Sequence, residues 1–494
     1  MSAPFAPGNE QVPSRLAHNA VSLSGVLFQS ITHMAPGIAV AFSIIFTTTY
    51  AGGSSPLSVL LALVGCLAVA SCIGQLAKYL PSAGGLYTYS SNGLGPQVGF
   101  LVAWAYMLSE PIVPAFVFLV FGNLINSTTT TYWGWPGWIW APAVILIGLI
   151  VWYLVFEGIK LSTEAGVALG IFEIVVFVAL AVTLIVEAGS RNTLSVFGAQ
   201  FHNQHGLGSV IPGMIYAVLA FIGFEASAPL GEEAENPRRT IPLAVIFSCL
   251  IIGVFYVLCY YAGTVYFGPA KMLSGFISSN NGDPWTGMAK AVWNWGWIIV
   301  FLALVNSSIA NANAGANAAT RAAYAMARIG LLPRQLAAID PRRRTPYMAI
   351  HVQAVGGVIL ALILGWLVKG PLNGVGLLGT IATVLVIPIY LLTAISCFTY
   401  YWRYRRDEFN VFLHLIVPIV AIVFFVPTEV ASFGINFAKL GISALTWPSY
   451  YAPWVVLIWM VIGVGLLIYF MQSRPHRLRE TADVYMEEIA ADEA

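Results

Sequence analysis

Apolar residues run along this chain in blocks of about twenty, divided by short polar or basic connections. That block length is what an α-helix needs to cross the ~30 Å hydrocarbon core of a bilayer. Twelve blocks are expected, starting near Leu23, Ser55, Val98, Trp138, Ser162, Ser209, Ile241, Trp285, Tyr347, Gly376, Phe412 and Ala452. The fourth, fifth and eighth have the least sharply defined ends. The pattern predicts an all-α membrane protein of about twelve transmembrane helices. Two blocks are interrupted. The first holds His33-Met34-Ala35-Pro36-Gly37, and the sixth holds Ile222-Gly223-Phe224-Glu225-Ala226. Pro and Gly free backbone groups, which at membrane depth must face protein, a ligand or water. Pro36 and Gly223 lie 187 positions apart, equivalent to five spans with their connections. Interrupted helices at matching positions of two halves point to a central site in a transporter. A pair of kinks that only aid helix packing is the alternative reading of the same residues.

Composition agrees with a bilayer-embedded surface. Apolar residues make up 59% of the 494 positions and charged residues 9%, against about a quarter charged in soluble domains. A formal net charge of +1 argues against an electrostatic nucleic-acid binder. The basic residues are segregated. Lys78, Lys160, Arg238, Arg239, Arg321, Arg328, Arg334, Arg342, Arg343, Arg344, Arg403, Arg405 and Arg406 fall in even-numbered connections, and Arg15, Arg474, Arg477 and Arg479 flank the first and last spans on the same side. Only Arg191, Lys271, Lys290, Lys369 and Lys439 fall on the other side. The positive-inside rule then predicts that both termini are cytoplasmic in a multi-pass cell-membrane protein. The first twenty residues contain Pro4, Pro7, Pro13, Arg15 and His18 and no apolar core, so the first span is expected to be retained rather than cleaved. Trp133, Trp135, Trp138 and Trp140 read as an interfacial aromatic belt. Cys66, Cys72, Cys249, Cys259 and Cys397 all sit in apolar runs with no metal-ligand spacing, which predicts packing residues, no metal site and no cofactor.

Three motifs carry a family resemblance. Pro81-Ser82-Ala83-Gly84-Gly85-Leu86-Tyr87-Thr88-Tyr89 follows the second span. Phe221-Ile222-Gly223-Phe224-Glu225 is followed by Glu232-Glu233 and by Asn236-Pro237-Arg238-Arg239-Thr240-Ile241-Pro242. Arg321, Met326-Ala327-Arg328, Gly330-Leu331-Leu332-Pro333 and Thr345-Pro346 lie between the eighth and ninth spans. In this order, the three resemble the amino acid–polyamine–organocation (APC) transporters over roughly residues 20 to 470. The resemblance implies a LeuT-type fold: two inverted five-helix repeats with broken helices 1 and 6, then two further helices. The expected divisions are a cytoplasmic segment 1–21, repeats at 22–189 and 207–398, extra spans at 408–472 and a cytoplasmic tail 473–494. It also implies alternating access, with spans 1, 2, 6 and 7 moving against the remainder. In relatives a substrate carboxylate meets N–H groups at the first break, and its ammonium meets carbonyls at both breaks. Opened helix ends of opposite polarity suit such a substrate. Here Thr32-His33-Met34-Ala35-Pro36-Gly37 replaces the more usual Gly-Ser-Gly. Pro36 offers no N–H, which leaves the substrate open.

Ionisable groups inside spans cost a few kcal/mol on insertion scales and are functional candidates. Glu110 lies in the third span, Glu173 in the fifth, and Glu225 and His33 lie at the two breaks, with no central Lys or Arg in spans one to six. Aligned on Gly158-Ile159-Lys160, Glu173 takes the position where many proton-coupled relatives carry a lysine, which itself replaces a sodium ion. Glu173 could carry a proton, because burial penalises the charged carboxylate, or it could serve structure alone. Ser307 and Ser308 lie near the hydroxyl ligands of sodium-driven relatives, while polar helix contacts explain them equally. The substrate site is expected at His33, Met34, Ala35, Pro36, Gly37, Glu110, Phe221, Ile222, Gly223, Phe224 and Glu225, with Phe221 or Phe224 as a gate. Coupling is expected at Glu173, Glu225, Ser307 and Ser308, through a proton or sodium. The reading is a secondary transporter for an amino acid, with a polyamine or other organic amine as the alternative. A membrane enzyme would need a nucleophile–base pair or metal cluster, and no HExxH, GxSxG or His-rich set is present.

Overall fold

The computed structural model of the chain describes residues 21–473 apart from 83, 159–162, 202–205, 233, 329–331, 341–342, 344 and 435–444. Arg15, Lys160, Glu233, Arg342, Arg344, Lys439 and the basic tail residues therefore lie outside the described residues, as does the middle of the third motif. The described chain is helical, without a strand; Val21 and Ala234 form one isolated bridge. Eleven helices are long and apolar enough to cross a membrane, and a bent pair makes a twelfth. Spans 1 to 5 are Leu23–Ser43, Ile45–Ala77, Pro96–Trp133, Trp140–Glu157 and Val167–Arg191. Span 6 is Leu207–Phe221 with Phe224–Gly231, bent by 43°. Spans 7 to 12 are Pro237–Phe267, Pro284–Tyr324, Tyr347–Leu367, Pro371–Tyr404, Phe412–Ser432 and Ser449–Ser473. Each expected block coincides with one of them.

Burial separates centre from periphery. The most apolar stretch of span 10 is 83% buried and that of span 1 is 78% buried, against 22% in span 12 and 28% in span 9. The two broken spans thus run through the middle and the outer spans face lipid. Span 2 packs along span 7, and span 3 along spans 8 and 10. The span 2–span 7 seam depends on a small residue, as membrane helix contacts often do. A Cβ on Gly253 would sit 2.1 Å from Leu63 Cδ1 and 3.0 Å from Phe221 Cε1.

One expectation is corrected and one span is divided. Trp133, Trp135 and Trp138 are exposed as a belt requires, but Trp140 is buried and packs on Gly365 and Trp366. The eighth span, which opens at Pro284 as the run at Trp285 predicts, is divided in two. Its first part is a ten-residue helix, Pro284–Trp293, ended at Asn294 by a φ of 50°, and a 32-residue helix, Trp297–Arg328, follows. Trp285 is fully buried against Phe177 and Phe276. Its hydrophobicity serves that packing.

The short helix starts at Asp283, whose Oδ1 accepts the Thr286 N–H at 3.2 Å, with Pro284 in the first turn. Asp283 lies outside the spans and is fully buried, and burial pushes its carboxyl up to about 6 against the two Thr286 hydrogen bonds. The folded protein therefore holds this proton more tightly than the unfolded chain. The associated stability is present at low pH and declines as pH rises from the ordinary carboxylate range through about 6. Asp283→Asn keeps a capping oxygen and cannot ionise. Its thermal unfolding in detergent should lack that decline, a difference on the order of 2 kcal/mol between pH 4 and 7.

Candidate functional site

Span 1 stops being a regular helix at Ala35, which adopts φ 46° and ψ 72°. Pro36 supplies no N–H, so the turn cannot close in the usual way. The chain resumes through Pro36–Ile38 and a π-helical turn, Ala39–Ser43. Span 6 breaks at Ile222, which is extended at ψ 125°, and Gly223, at φ 114°. It continues as a 3-10 helix, Phe224–Glu232. Counted along each helix at 1.5 Å per residue, the breaks lie about 18 and 21 Å from the starts of their spans, near the bilayer middle.

The breaks touch each other. A Cβ on Gly223 would lie 2.7 Å from His33 Cδ2 and 2.9 Å from both His33 C and Met34 N. Only glycine fits there, both for this approach and for its φ.

Backbone groups released at the breaks are paired by side chains from other spans. Asn311 Nδ2 donates to the His33 carbonyl at 2.9 Å, and the Ile38 N–H donates to Ser307 Oγ at 3.2 Å. Tyr256 Oη lies 3.0 Å from the Met34 carbonyl and 2.9 Å from the Ala220 carbonyl, bridging the two breaks. Ser30 Oγ donates to the Phe224 carbonyl at 2.8 Å and accepts from the Ser227 N–H at 3.1 Å. Glu225 Oε2 accepts from the Gly223 N–H at 3.0 Å and from Tyr390 Oη at 2.9 Å.

The residues expected from sequence fall into three groups. His33, Met34, Ala35, Pro36, Gly37, Phe221, Ile222, Gly223, Phe224 and Glu225 converge at the paired breaks. Gly37 faces Ser307, and Glu173 lies beside Ser307 and Asn306, so the fifth and eighth spans meet at the first break. Glu173 Oε2 is buried without a hydrogen-bond partner among the described residues, as are Glu110 Oε2 and His33 Nδ1. Glu110 and Glu225 lie within electrostatic reach of each other. Ser308 stands apart, its hydroxyl donating to Leu304 O in its own helix. Phe221 and Phe224 are fully buried, edge-on to Tyr256 and tilted against Tyr390, respectively.

Sequence reasoning did not single out Tyr256, Ser30 or Tyr390. Each is one hydroxyl in an apolar stretch, and only the fold shows which carbonyl or carboxyl it meets. Asn311 stands four residues after Ser307, a spacing that puts both on one face of the helix, and both bond span 1. Gly223→Ala should lose roughly 2–4 kcal/mol of stability through clash and positive φ. Gly356→Ala, with nothing within 4 Å of the added methyl, is the control and should change unfolding little. Thermal unfolding of the two purified variants checks this.

The chain as a whole has counterparts among known proteins. Residues 21–474 match the family described as amino acid permease. The methylthioribose transporter of Bacillus subtilis is 26% identical over 465 residues, covering 88% of this chain and 90% of its own length. The low-affinity putrescine importer PlaP of Escherichia coli K12 is 25% identical, covering 74% and 78%. The branched-chain amino acid permease BcaP of Bacillus subtilis is 24% identical, covering 86% and 87%. With a family match spanning almost all the described residues and a twelve-span helical architecture broken at spans 1 and 6, the chain belongs to the amino acid permeases of the APC superfamily, multi-pass membrane transporters rather than enzymes.

Proposed function

We propose that this permease is a secondary active transporter that carries an amino acid across the cell membrane by alternating access, coupled to protons or to exchange. The observation that carries the reading is the contact of two interrupted helices at mid-depth, flanked by buried carboxyl groups. Opened helices supply N–H and C=O groups with partial charge, which suits a zwitterion. In this reading spans 1–5 and 6–10 form the inverted repeats, residues 22–189 and 207–398, and residues 408–472 add two spans. Both termini are cytoplasmic, supported by the bias of basic residues. The substrate site is formed at His33–Gly37 and Phe221–Glu225 with Glu110, and Phe221 or Phe224 closes it.

One observation favours the organic-amine alternative. Glu110 and Glu225 lie within reach of each other, and no Lys or Arg occupies the central part of spans 1 to 6. Such a pair favours a cationic amine over a zwitterion, and one relative bears the name of a putrescine importer.

Coupling is assigned to Glu173, with Glu225, Ser307 and Ser308 as further members. Glu173 is buried beside Ser307, whose hydroxyl receives the Ile38 N–H of the first break. A proton gained or lost at Glu173 would thus be felt one hydrogen bond away from the substrate site. Opening to water on one face stabilises the carboxylate and releases the proton, and closing favours its return. A sodium ion would instead use the same carboxylate and hydroxyl as ligands.

Liposomes containing the protein should take up or exchange a labelled amino acid or amine, from a panel that includes leucine, glutamate, serine and putrescine. Absence of binding and flux across the panel in folded protein would remove the transport reading. Glu173→Gln keeps shape and cannot titrate. It should abolish accumulation driven by a pH gradient while counterflow exchange persists. Unchanged pH-driven accumulation would return Glu173 to a structural role.

A further inference from the structure

The two faces of the molecule differ. On the half nearer the N-terminus, Thr32, Tyr106, Glu110, Ile222, Ala226, Asn313 and Asn317 are partly exposed. On the opposite half, residues 33–43 of span 1 and 374–387 of span 10 are all buried. What closes that half includes a segment outside the ten-span core. We propose that residues 445–451, the lead-in to span 12 together with its first turn, form a strap that holds this face shut, with Tyr216 as its latch.

The hydrogen bonds have a direction. Thr380 Oγ1 donates to the Gly376 carbonyl of its own helix at 2.7 Å. Towards Tyr216 it can therefore only accept, so the phenol O–H at 3.0 Å donates to it. Tyr216 Oη then accepts from Ser449 Oγ, also at 3.0 Å. The result is one chain: Ser449 to Tyr216 to Thr380 to Gly376, linking the strap, the first half of span 6 and span 10.

A second tie reaches the strap through Tyr50, a neighbour of Tyr216. The Thr446 N–H donates to Tyr50 Oη at 3.2 Å, next to a hydroxyl contact at 3.4 Å. Tyr50 and Phe46, which follow span 1, stack on Tyr216 with ring centroids 6.0 and 5.3 Å away. Leu445 packs in the same cluster with Ile215 and Ala431.

Depth is the telling feature. Gly376 and Thr380 lie about 8 and 14 Å along span 10 from its start. A Cβ on Gly376 would stand 3.6 Å from Ser449 Oγ. The lead-in therefore reaches down between spans 6 and 10 instead of passing over the surface. The start of span 2, directly after span 1, and the first half of span 6 both touch it, and these are the parts that alternating access must part from span 10. The inference rests on that proposed cycle. Opening the opposite face requires Tyr216 to leave Thr380 and Ser449, and Tyr50 to leave Thr446.

The test reads accessibility and needs no known substrate. A single cysteine at half-buried Ile211, in a chain whose five native cysteines are buried, is labelled with a membrane-impermeant maleimide from the face opposite the termini. Tyr216→Phe keeps the ring stack and removes the relay. Labelling should rise about five- to tenfold, the population shift expected when one hydrogen bond is lost from the closed state only. Ser449→Ala should act likewise, and the double variant should add little, because both break one chain. A cysteine at Thr32 should label more slowly from the other face. Unchanged labelling in folded Tyr216→Phe, or full additivity of the two variants, overturns the strap. If the wild type carries no amino acid or amine, the transport reading fails separately, while labelling still decides the strap.

Discussion

Everything at the centre of this permease depends on pairing backbone groups that two interrupted helices release inside a low-dielectric bundle. An unpaired N–H or C=O there costs several kcal/mol. Ala35, Pro36, Ile222 and Gly223 open the helices, and Asn311, Ser307, Tyr256 and Ser30 take up the groups that result. These partners come from spans 8, 7 and 1. A break in one helix is stable only because other helices have been brought against it, which makes the site a property of the assembled bundle.

That arrangement explains why small residues recur where span 1 meets its neighbours. Gly223 lets span 6 touch the His33–Met34 backbone, and Gly37 lets span 1 touch Ser307. Tyr256, by reaching carbonyls of both breaks, ties the two half-helices together. A phenol has one proton, so the two carbonyls share a single donor. The centre is satisfied sparingly, and a ligand bearing several donors has acceptors to meet there.

The buried carboxyls complete the picture. Glu225 is held at the sixth-span break by the Gly223 N–H and by Tyr390. Glu173 and Glu110 each keep an oxygen without a partner among the described residues. Carboxyl oxygens of that kind inside a helical bundle are candidates for meeting a proton or a cation.

Much of this was written in the chain itself. Block length fixes twelve crossings because lipid demands about twenty apolar residues per helix, and Pro36 and Gly223 mark both breaks because neither residue can simply continue a helix there. The three motifs bring in the family. Spacing alone also put Ser307 and Asn311 on one face. Other features follow from contacts distant in sequence: the pairing of Tyr256 with Met34 and Ala220, of Ser30 with Phe224, and of Tyr216 with Ser449. A lone hydroxyl in an apolar run carries no periodic signal, since its partner is set by how helices pack. Trp140 and Trp285 make the same point from the apolar side. Hydrophobicity foretells that a residue leaves water, and only tertiary packing decides whether it enters lipid or the protein core.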